Sequence, residues 1–309
     1  MRYATLAPSS HNTQCWRFAV DDRSITIEPD FSRRCPVVDP DDHHLYVSLG
    51  CAAENLVQAA KAMGLHGEVR FDAALDAVVV GLTPTCAIAS PLFKAITARQ
   101  CTRGDYDGQP LNKQELELLE RAGSSERVRL LLLTDKAAID KVTDYVVQGN
   151  TTQLNDKAFV RELKSWIRFS ATDAVARGDG LFGKCAGNPT LPSWLGNLVF
   201  SLVVRASSEN EKYTRQLRNS AGVAVFVAAQ ADKAHWVDVG RAYERFALQA
   251  TALGVRNSHL NMPVELASLR PQFAHALGLD SMRPDLVIRF GRGPAMPPSL
   301  RRPVQAVMV

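Results

Sequence analysis

The sequence predicts an α+β protein built from two tandem halves. A helix-like segment occurs twice at a fixed offset, and short runs of β-branched residues flank each copy. Strands and helices then alternate without the even rhythm of a parallel βαβ sheet, which points to antiparallel-rich sheets with helices packed on them.

The repeat pairs "VSLGCAAENLVQAAKAMGL", from Val47, with "VDVGRAYERFALQATALGV", from Val237, at an offset of 190 residues. Val47 then matches Val237, and Gly50 matches Gly240. Ala52/Ala242, Glu54/Glu244, Ala60/Ala250, Ala62/Ala252 and Gly64/Gly254 follow. Small and apolar residues recur at three- and four-residue spacing in both copies, and a glycine stops each one. Such a stripe lets two helices approach closely. Any two alanine-rich amphipathic helices would share some of this pattern, so the flanks matter. "RSITIEP" (23–29) alternates like a strand before the first copy, and "DAVVVGL" (76–82) follows it. "AGVAVFVAA" (221–229) precedes the second copy and "PDLVIRFG" (284–291) follows it, again as strands.

Between the copies, residues 90–123 read as helix, irregular link, then helix, and "VRLLLLTD" (128–135) reads as a strand. Residues 137–169 are helical in pattern, 176–194 are rich in Gly and Pro, and 195–217 resume an apolar pattern. A glycine-rich excursion between helices is a candidate lid, with a plain surface loop as the alternative. The expected division is a first half over 1–95 and a second half over 96–309, the latter carrying the lid at 136–216.

Composition narrows the function. The chain has 309 residues, of which 46% are hydrophobic and 22% charged, with a formal net charge of +4. That charge is too small, and too little interleaved with aromatics, for nucleic-acid binding. No apolar run approaches the roughly 18 residues needed to span a membrane. Met1 to Pro8 holds one Arg and no apolar core, unlike a secretory signal. Six cysteines without a C-x-x-C pair fit reduced thiols in a cytoplasmic protein.

The densest polar cluster, "APSSHNTQCWRF" (7–18), stands just before the first expected strand. "ITARQCTRGDY" (96–106) and "PPSLRRPV" (297–304) concentrate arginine, and "NMPVELAS" (261–268) offers a short backbone turn. Taken singly these read as a capping turn and a solvated helix end. "DPDDHH" (39–44) sits before the first repeat helix and reads as capping, because neighbouring histidines do not share a helix face as i, i+4 pairs do. No metal is expected. "GDGLFGKCAG" (178–187) has the glycines of a phosphate loop without its strand or its G-K-[ST], and reads as loop.

In combination these segments resemble the FMN-dependent nitroreductase family, and more narrowly its internally duplicated single-chain branch. The resemblance covers nearly the whole chain, loosely in 136–216. The first segment is similar to the family's flavin-contacting turn, P-S-x-x-N-x-Q-P-W. This implies that Pro8, Ser9, Ser10, Asn12 and Gln14 lie near the isoalloxazine or ribityl chain, with Cys15 in place of the usual Pro. A flavin's pyrimidine edge and hydroxyls need several small donors and acceptors presented in one turn. The arginine segment resembles the R-x-S-x-[RK] phosphate motif. Arg99 would face the phosphate and Arg103 the ribityl or N1/O2 edge, with Cys101 replacing the Ser. Arginine suits that task because its planar fork donates paired charge-assisted bonds. Arg301 and Arg302 match the C-terminal basic segment that returns to the phosphate. Val264, Glu265 and Leu266 match P-[IV]-E-G, whose backbone N–H groups approach flavin N5 and O4, with Leu266 replacing Gly.

The serine turn occurs only in the first half and the arginine segments only in the second, so the resemblance implies one FMN per chain, shared by both halves. The implied activity passes hydride from NAD(P)H through flavin N5 to an electron-poor acceptor, a nitroaromatic or quinone. The flavin carries the chemistry; Arg103 and the backbone at Glu265 tune it. The alternative is a protein that stores FMN behind a closed lid. The partner is a small molecule rather than nucleic acid or membrane, with higher oligomers left open.

Overall fold

The alternation of the first sixty residues places Trp16, Phe18, Ile25 and Ile27 on one side of a hairpin. In this computed structural model, which describes residues 1–203, 205–279 and 282–309, β1 (Trp16–Val20) pairs antiparallel with β2 (Ser24–Pro29), Phe18 opposite Ile27. Helix α1 (His43–Ala62) then leads to β3 (Leu65–Asp72) and β4 (Ala77–Pro84), giving an antiparallel sheet ordered β1-β2-β4-β3. The strand β3 was not expected; its alternation is broken up by His66, Gly67 and charged residues.

Helices α2 (Pro91–Ala95) and α3 (Lys113–Gly123) cross to the second sheet, the latter opened by a capping box between Asn112 and Glu115. That sheet begins with β5 (Val128–Leu133). A long excursion follows: α4 (Lys136–Asn155), α5 (Lys157–Trp166), β6 (Ile167–Arg168), α6 (Ala171–Arg177), β7 (Leu181–Phe182), α7 (Ser193–Val203) and α8 (Ala206–Arg218). The chain then returns through β8 (Gly222–Ala228), α9 (Lys233–Ala252), β9 (Arg256–His259), α10 (Met262–Glu265), α11 (Arg270–Ala276) and β10 (Pro284–Gly291). The second sheet is ordered β5-β8-β10-β9. Numbered from its own first strand, it repeats the order of the first sheet, with α9 standing where α1 stands.

Strands β8 and β10 are buried on both faces, which explains their unbroken apolar runs. Ala224, Phe226, Leu286, Ile288 and Phe290 face the core shared with α1 and α9. Val223, Val225, Val227 and Val287 face a second core closed by α4, α8 and α11. The helices α1 and α9 pack directly on one another, and Cys51 Sγ reaches the carbonyl of Gly240 at 3.2 Å. Gly50 and Gly240 make this possible: a methyl group on Gly50 would lie on the Val237 carbonyl oxygen, and one on Gly240 on that of Val47. No described helix is long and apolar enough to cross a membrane, and all six cysteines are free.

Candidate functional site

The serine turn is held in an unusual backbone shape. His11, Asn12 and Gln14 all have positive φ, at 48°, 55° and 54°. Each such non-glycine residue costs roughly 1–3 kcal/mol and persists only where its surroundings enforce it. Here they do. Ser9 Oγ accepts from the Gln14 N–H at 2.8 Å. Asn12 Nδ2 donates to the carbonyls of Gly180 (3.0 Å) and Leu300 (3.1 Å), and the Gly180 N–H returns a bond to the Asn12 carbonyl. Gln14 Nε2 donates to the Gly178 carbonyl, and its Oε1 accepts from the Arg302 N–H, both at 2.8 Å. The amides of Asn12 and Gln14 therefore knit the turn to the loop after α6 and to the C-terminal segment. Pro8 is buried, while Ser9 and Ser10 keep partial exposure. His11 Nδ1 lies 3.4 Å from Cys35 Sγ; burial, and then the Arg103 charge, push its pKa down to about 4.

Arg99 is already engaged within the protein. It is buried and ion-paired with Glu244 of α9, Nε to Oε1 3.1 Å, and Nη2 donates to the Leu6 carbonyl at 2.9 Å. Its charge is thus already compensated within the protein, although Nη1 is buried without a hydrogen bond. Burial lifts the Glu244 carboxyl to about 7 in spite of the arginine. The repeat partner Glu54 points elsewhere, to Arg241 and Arg245.

Arg103 differs from Arg99. Its guanidinium is half-exposed and, among the described residues, makes no hydrogen bond or ion pair. Its positive charge acts on His11 of the first half, on Cys101, and on Cys185 and Tyr213 of the excursion. Cys101 Sγ sits 3.5 Å from His259 Nδ1 and 3.8 Å from the Tyr243 hydroxyl. Burial opposes ionisation of this thiol, but His259, Arg99 and Arg103 outweigh it and draw its pKa well below the usual value. Next to it, Asn257 accepts from the Thr102 N–H through its carbonyl and from Tyr243 through Oδ1, leaving Nδ2 buried and unbonded.

The basic C-terminal pair divides its work. Arg301 donates to the carbonyls of Thr5, Leu6 and Ala7 and, through Nη1, to Asn12 Oδ1 at 2.9 Å. Burial lowers its pKa to about 10. Arg302 uses its backbone N–H on Gln14 and Nη2 on the Ala306 carbonyl at 2.6 Å. Arg301 therefore seats the N-terminal segment that carries the serine turn. At 264–266 the expected backbone donors are already committed: the N–H groups of Val264 and Glu265 both donate to the Asn261 carbonyl inside the short turn of α10. Val264 is in the second core, Leu266 is half-exposed, and Glu265 accepts from Gln153 Nε2 at 2.6 Å.

Several residues of the site carried no sequence signal of function. Arg289 of β10 is fully buried, lies 4.1 Å from the Tyr106 ring, and donates to the carbonyls of Thr102 and Gly104, so it shapes the loop bearing Arg103. A charge inside the run "LVIRF" was the available clue. His259 and Tyr243 had none. The excursion is anchored by Asp179, which accepts from Arg168 Nε (3.0 Å) and Nη2 (2.7 Å) and pairs with Arg33; both arginines flank the Trp166 ring. Gly178 has φ +64°, and a side chain there would press on the Arg301 carbonyl.

Asp39 caps α1 as read from the sequence, its two carboxylate oxygens accepting from His44 N–H and Leu45 N–H at 3.0 Å. The neighbouring histidines nonetheless come together, rings 4.5 Å apart, because both turn inward at the first turn of the helix. Potential metal-ligand atoms of Asp39, His43 and His44 lie within 4.8 Å of one another. They are engaged by protein: His43 Nε2 with Asp285 Oδ1 (2.9 Å), His44 Nε2 with the Asp285 carbonyl (3.3 Å), and Asp39 with the helix cap.

No family model matches this chain. Over 99% of its length it is similar to two Mycobacterium tuberculosis proteins, from strains CDC 1551 / Oshkosh and H37Rv, each provisionally named an NAD(P)H nitroreductase. Each is 25% identical over 324 aligned residues and covered to 88%. Solved structures similar to it include the FMN-dependent nitroreductase NfnB of Mycobacterium smegmatis in complex with NADPH (13% identity, 66% of this chain and 87% of that one, TM-score 0.41). A nitroreductase with bound FMN from Bacteroides fragilis (13% identity, 66% and 89%, TM-score 0.41) is another.

Proposed function

We propose that this chain is an FMN-dependent NAD(P)H oxidoreductase of the nitroreductase kind, with one flavin held between residues of its two halves. The observation that carries this reading is a set of donors around Cys101 that find no acceptor among the described residues: the partly exposed guanidinium of Arg103, the buried Nη1 of Arg99 and the buried Nδ2 of Asn257. Buried donors ordinarily find acceptors, so such a cluster fits an anionic ligand with several oxygens. The strained serine turn supports it, since backbone strain concentrates at ligand-binding positions. The names of the full-length relatives favour a reductase over FMN storage.

When bound, FMN supplies the capacity to accept a hydride and pass electrons onward. The chain's residues do the rest. Arg103, with Arg99 and Asn257, holds the anionic part of the cofactor. Ser9 and Ser10 offer hydroxyls from the first half. Arg289 positions the Arg103 loop, and Arg301 positions the serine turn by gathering the carbonyls of residues 5–7. The loop at 178–180 is latched on Asn12 and Gln14 and closes over the turn at that edge. In this reading residues 1–95 supply the turn and 96–309 the arginines, the acceptor is a small electron-poor molecule, and the compartment is the cytoplasm.

Arg103→Ala tests the assignment. Loss of one charge-assisted contact of about 1.5–3 kcal/mol should weaken FMN binding by about 10- to 100-fold, measured by flavin fluorescence, with the melting temperature unchanged. An unaltered affinity would remove Arg103 from the site. Rapid bleaching of the flavin bands by NADPH or NADH under anaerobic conditions would establish the reductase; persistence of the bands with both donors would overturn it.

A further inference from the structure

Cys101 stands apart from the other cysteines. Burial, first of all, keeps the Cys15 thiol protonated, raising it to about 11, and pushes up Cys35, Cys51 and Cys185 as well. Burial opposes ionisation of Cys101 too, but this residue keeps partial exposure and its sulfur lies 3.5 Å from His259 Nδ1. The charges and titrating groups around it come from every neighbouring element. Its own segment brings Arg99, Arg103 and Tyr106. Helix α9 brings Tyr243 and Glu244, β9 His259, α1 Cys51, and the C-terminal segment Arg301. Glu244 is neutralised by Arg99, so the balance at the sulfur is positive. Buried Arg99 Nη1 and Asn257 Nδ2, both without acceptors, point to an anion in the same place.

We propose that Cys101 is a modification site: a thiolate paired with His259, reactive toward hydroperoxides and soft electrophiles, seated beside the unbonded donors of Arg99 and Asn257. The reaction is a two-electron oxidation. The thiolate lone pair attacks the distal oxygen of ROOH, the S–O bond forms and the O–O bond breaks. Sulfur becomes the sulfenic acid, and the departing alkoxide takes the proton held by His259 to leave as ROH. A phosphate and a thiolate repel one another, so a bound flavin would suppress both ionisation and access. Only this shielding rests on the proposed cofactor; the reactive thiolate does not.

The test uses the intact protein and iodoacetamide, with site-resolved mass spectrometry and the exposed Cys86 as internal reference. At about pH 6, Cys101 should alkylate at least about 10 times faster than Cys86, because thiolate fraction governs the rate. Hydrogen peroxide followed by dimedone should label Cys101. His259→Asn should move the pH midpoint of Cys101 alkylation upward, toward the ordinary thiol range near 8.5. The wild-type pH profile decides the matter even if that variant folds poorly. Alkylation of Cys101 no faster than Cys86 at about pH 6, or a profile unmoved in a folded His259→Asn protein, would overturn the proposal. Preloading with FMN should slow alkylation by about 10-fold. Fast low-pH reactivity without FMN protection would leave the thiolate standing and sink the flavin assignment. FMN binding with slow alkylation of the free protein would do the reverse.

Discussion

Gly50 and Gly240 hold equivalent positions on α1 and α9, and each lies against a backbone carbonyl of the opposite helix. The same close helix–helix contact is thus made twice. Alanine at either position would force the helices apart, since a carbonyl in a helix cannot yield as a flexible side chain can. We expect Gly50→Ala and Gly240→Ala each to cost about 2–3 kcal/mol or more, by similar amounts, read as parallel drops in melting temperature. A loss confined to one of them would mean that the two contacts are not equivalent.

Arg99 and Glu244 should matter to stability before they matter to any ligand. Removing one partner of a buried pair costs about 3–5 kcal/mol because the other charge is stranded. Arg99→Ala is therefore expected to melt far below wild type, and Arg103→Ala within about 0.5 kcal/mol of it. Equal melting temperatures for all three proteins would contradict the buried pair.

Burial lifts the Asp285 carboxyl to about 7, beside His43. A group whose folded pKa is raised favours the native state at low pH, and that contribution is lost as pH climbs through the folded value. Asp285→Asn removes the term. The variant should gain on wild type by about 1 kcal/mol per unit from about pH 5 to about 7 and stay level above. Chemical denaturation across that range measures it; a constant difference would show that Asp285 ionises normally.

Gln14 joins the serine turn to the Gly178 carbonyl and the Arg302 N–H. Gln14→Leu leaves both backbone groups buried without partners, at about 1–3 kcal/mol each. We expect faster limited proteolysis within residues 176–187, mapped by mass spectrometry. Gln14→Glu, which retains the acceptor for Arg302 but not the donor, should fall between. Unchanged cleavage in Gln14→Leu would show that the loop is held by other contacts.

The paired helices were legible because a repeat compares the chain with itself: Gly50, Gly240 and the alanines between them needed no outside reference. The long runs of β8 and β10 were legible because two-sided burial removes polar residues altogether. Strand β9, "RNSH", was not, since it becomes a strand only by pairing along β10. The left-handed turn at residues 11–14 gave no warning either, because its shape is imposed by Gly178, Gly180 and residues 300–302 from far along the chain. Arg99 was visible as a basic residue in a promising segment, yet its partner Glu244 looked like the twin of Glu54, which serves other arginines. Residue type and spacing reveal a candidate set; which member is already neutralised depends on contacts that only folding makes.

Both sheets share one strand order, and the helices that join them belong to a single polypeptide. Their contact is therefore unimolecular: it has no dissociation constant for a subunit and does not weaken on dilution. Where two separate chains must be identical to meet about a symmetry axis, these two copies are free to diverge. One has grown a long excursion before its second strand while the other runs straight through, and the helix crossing has kept its two glycines in both.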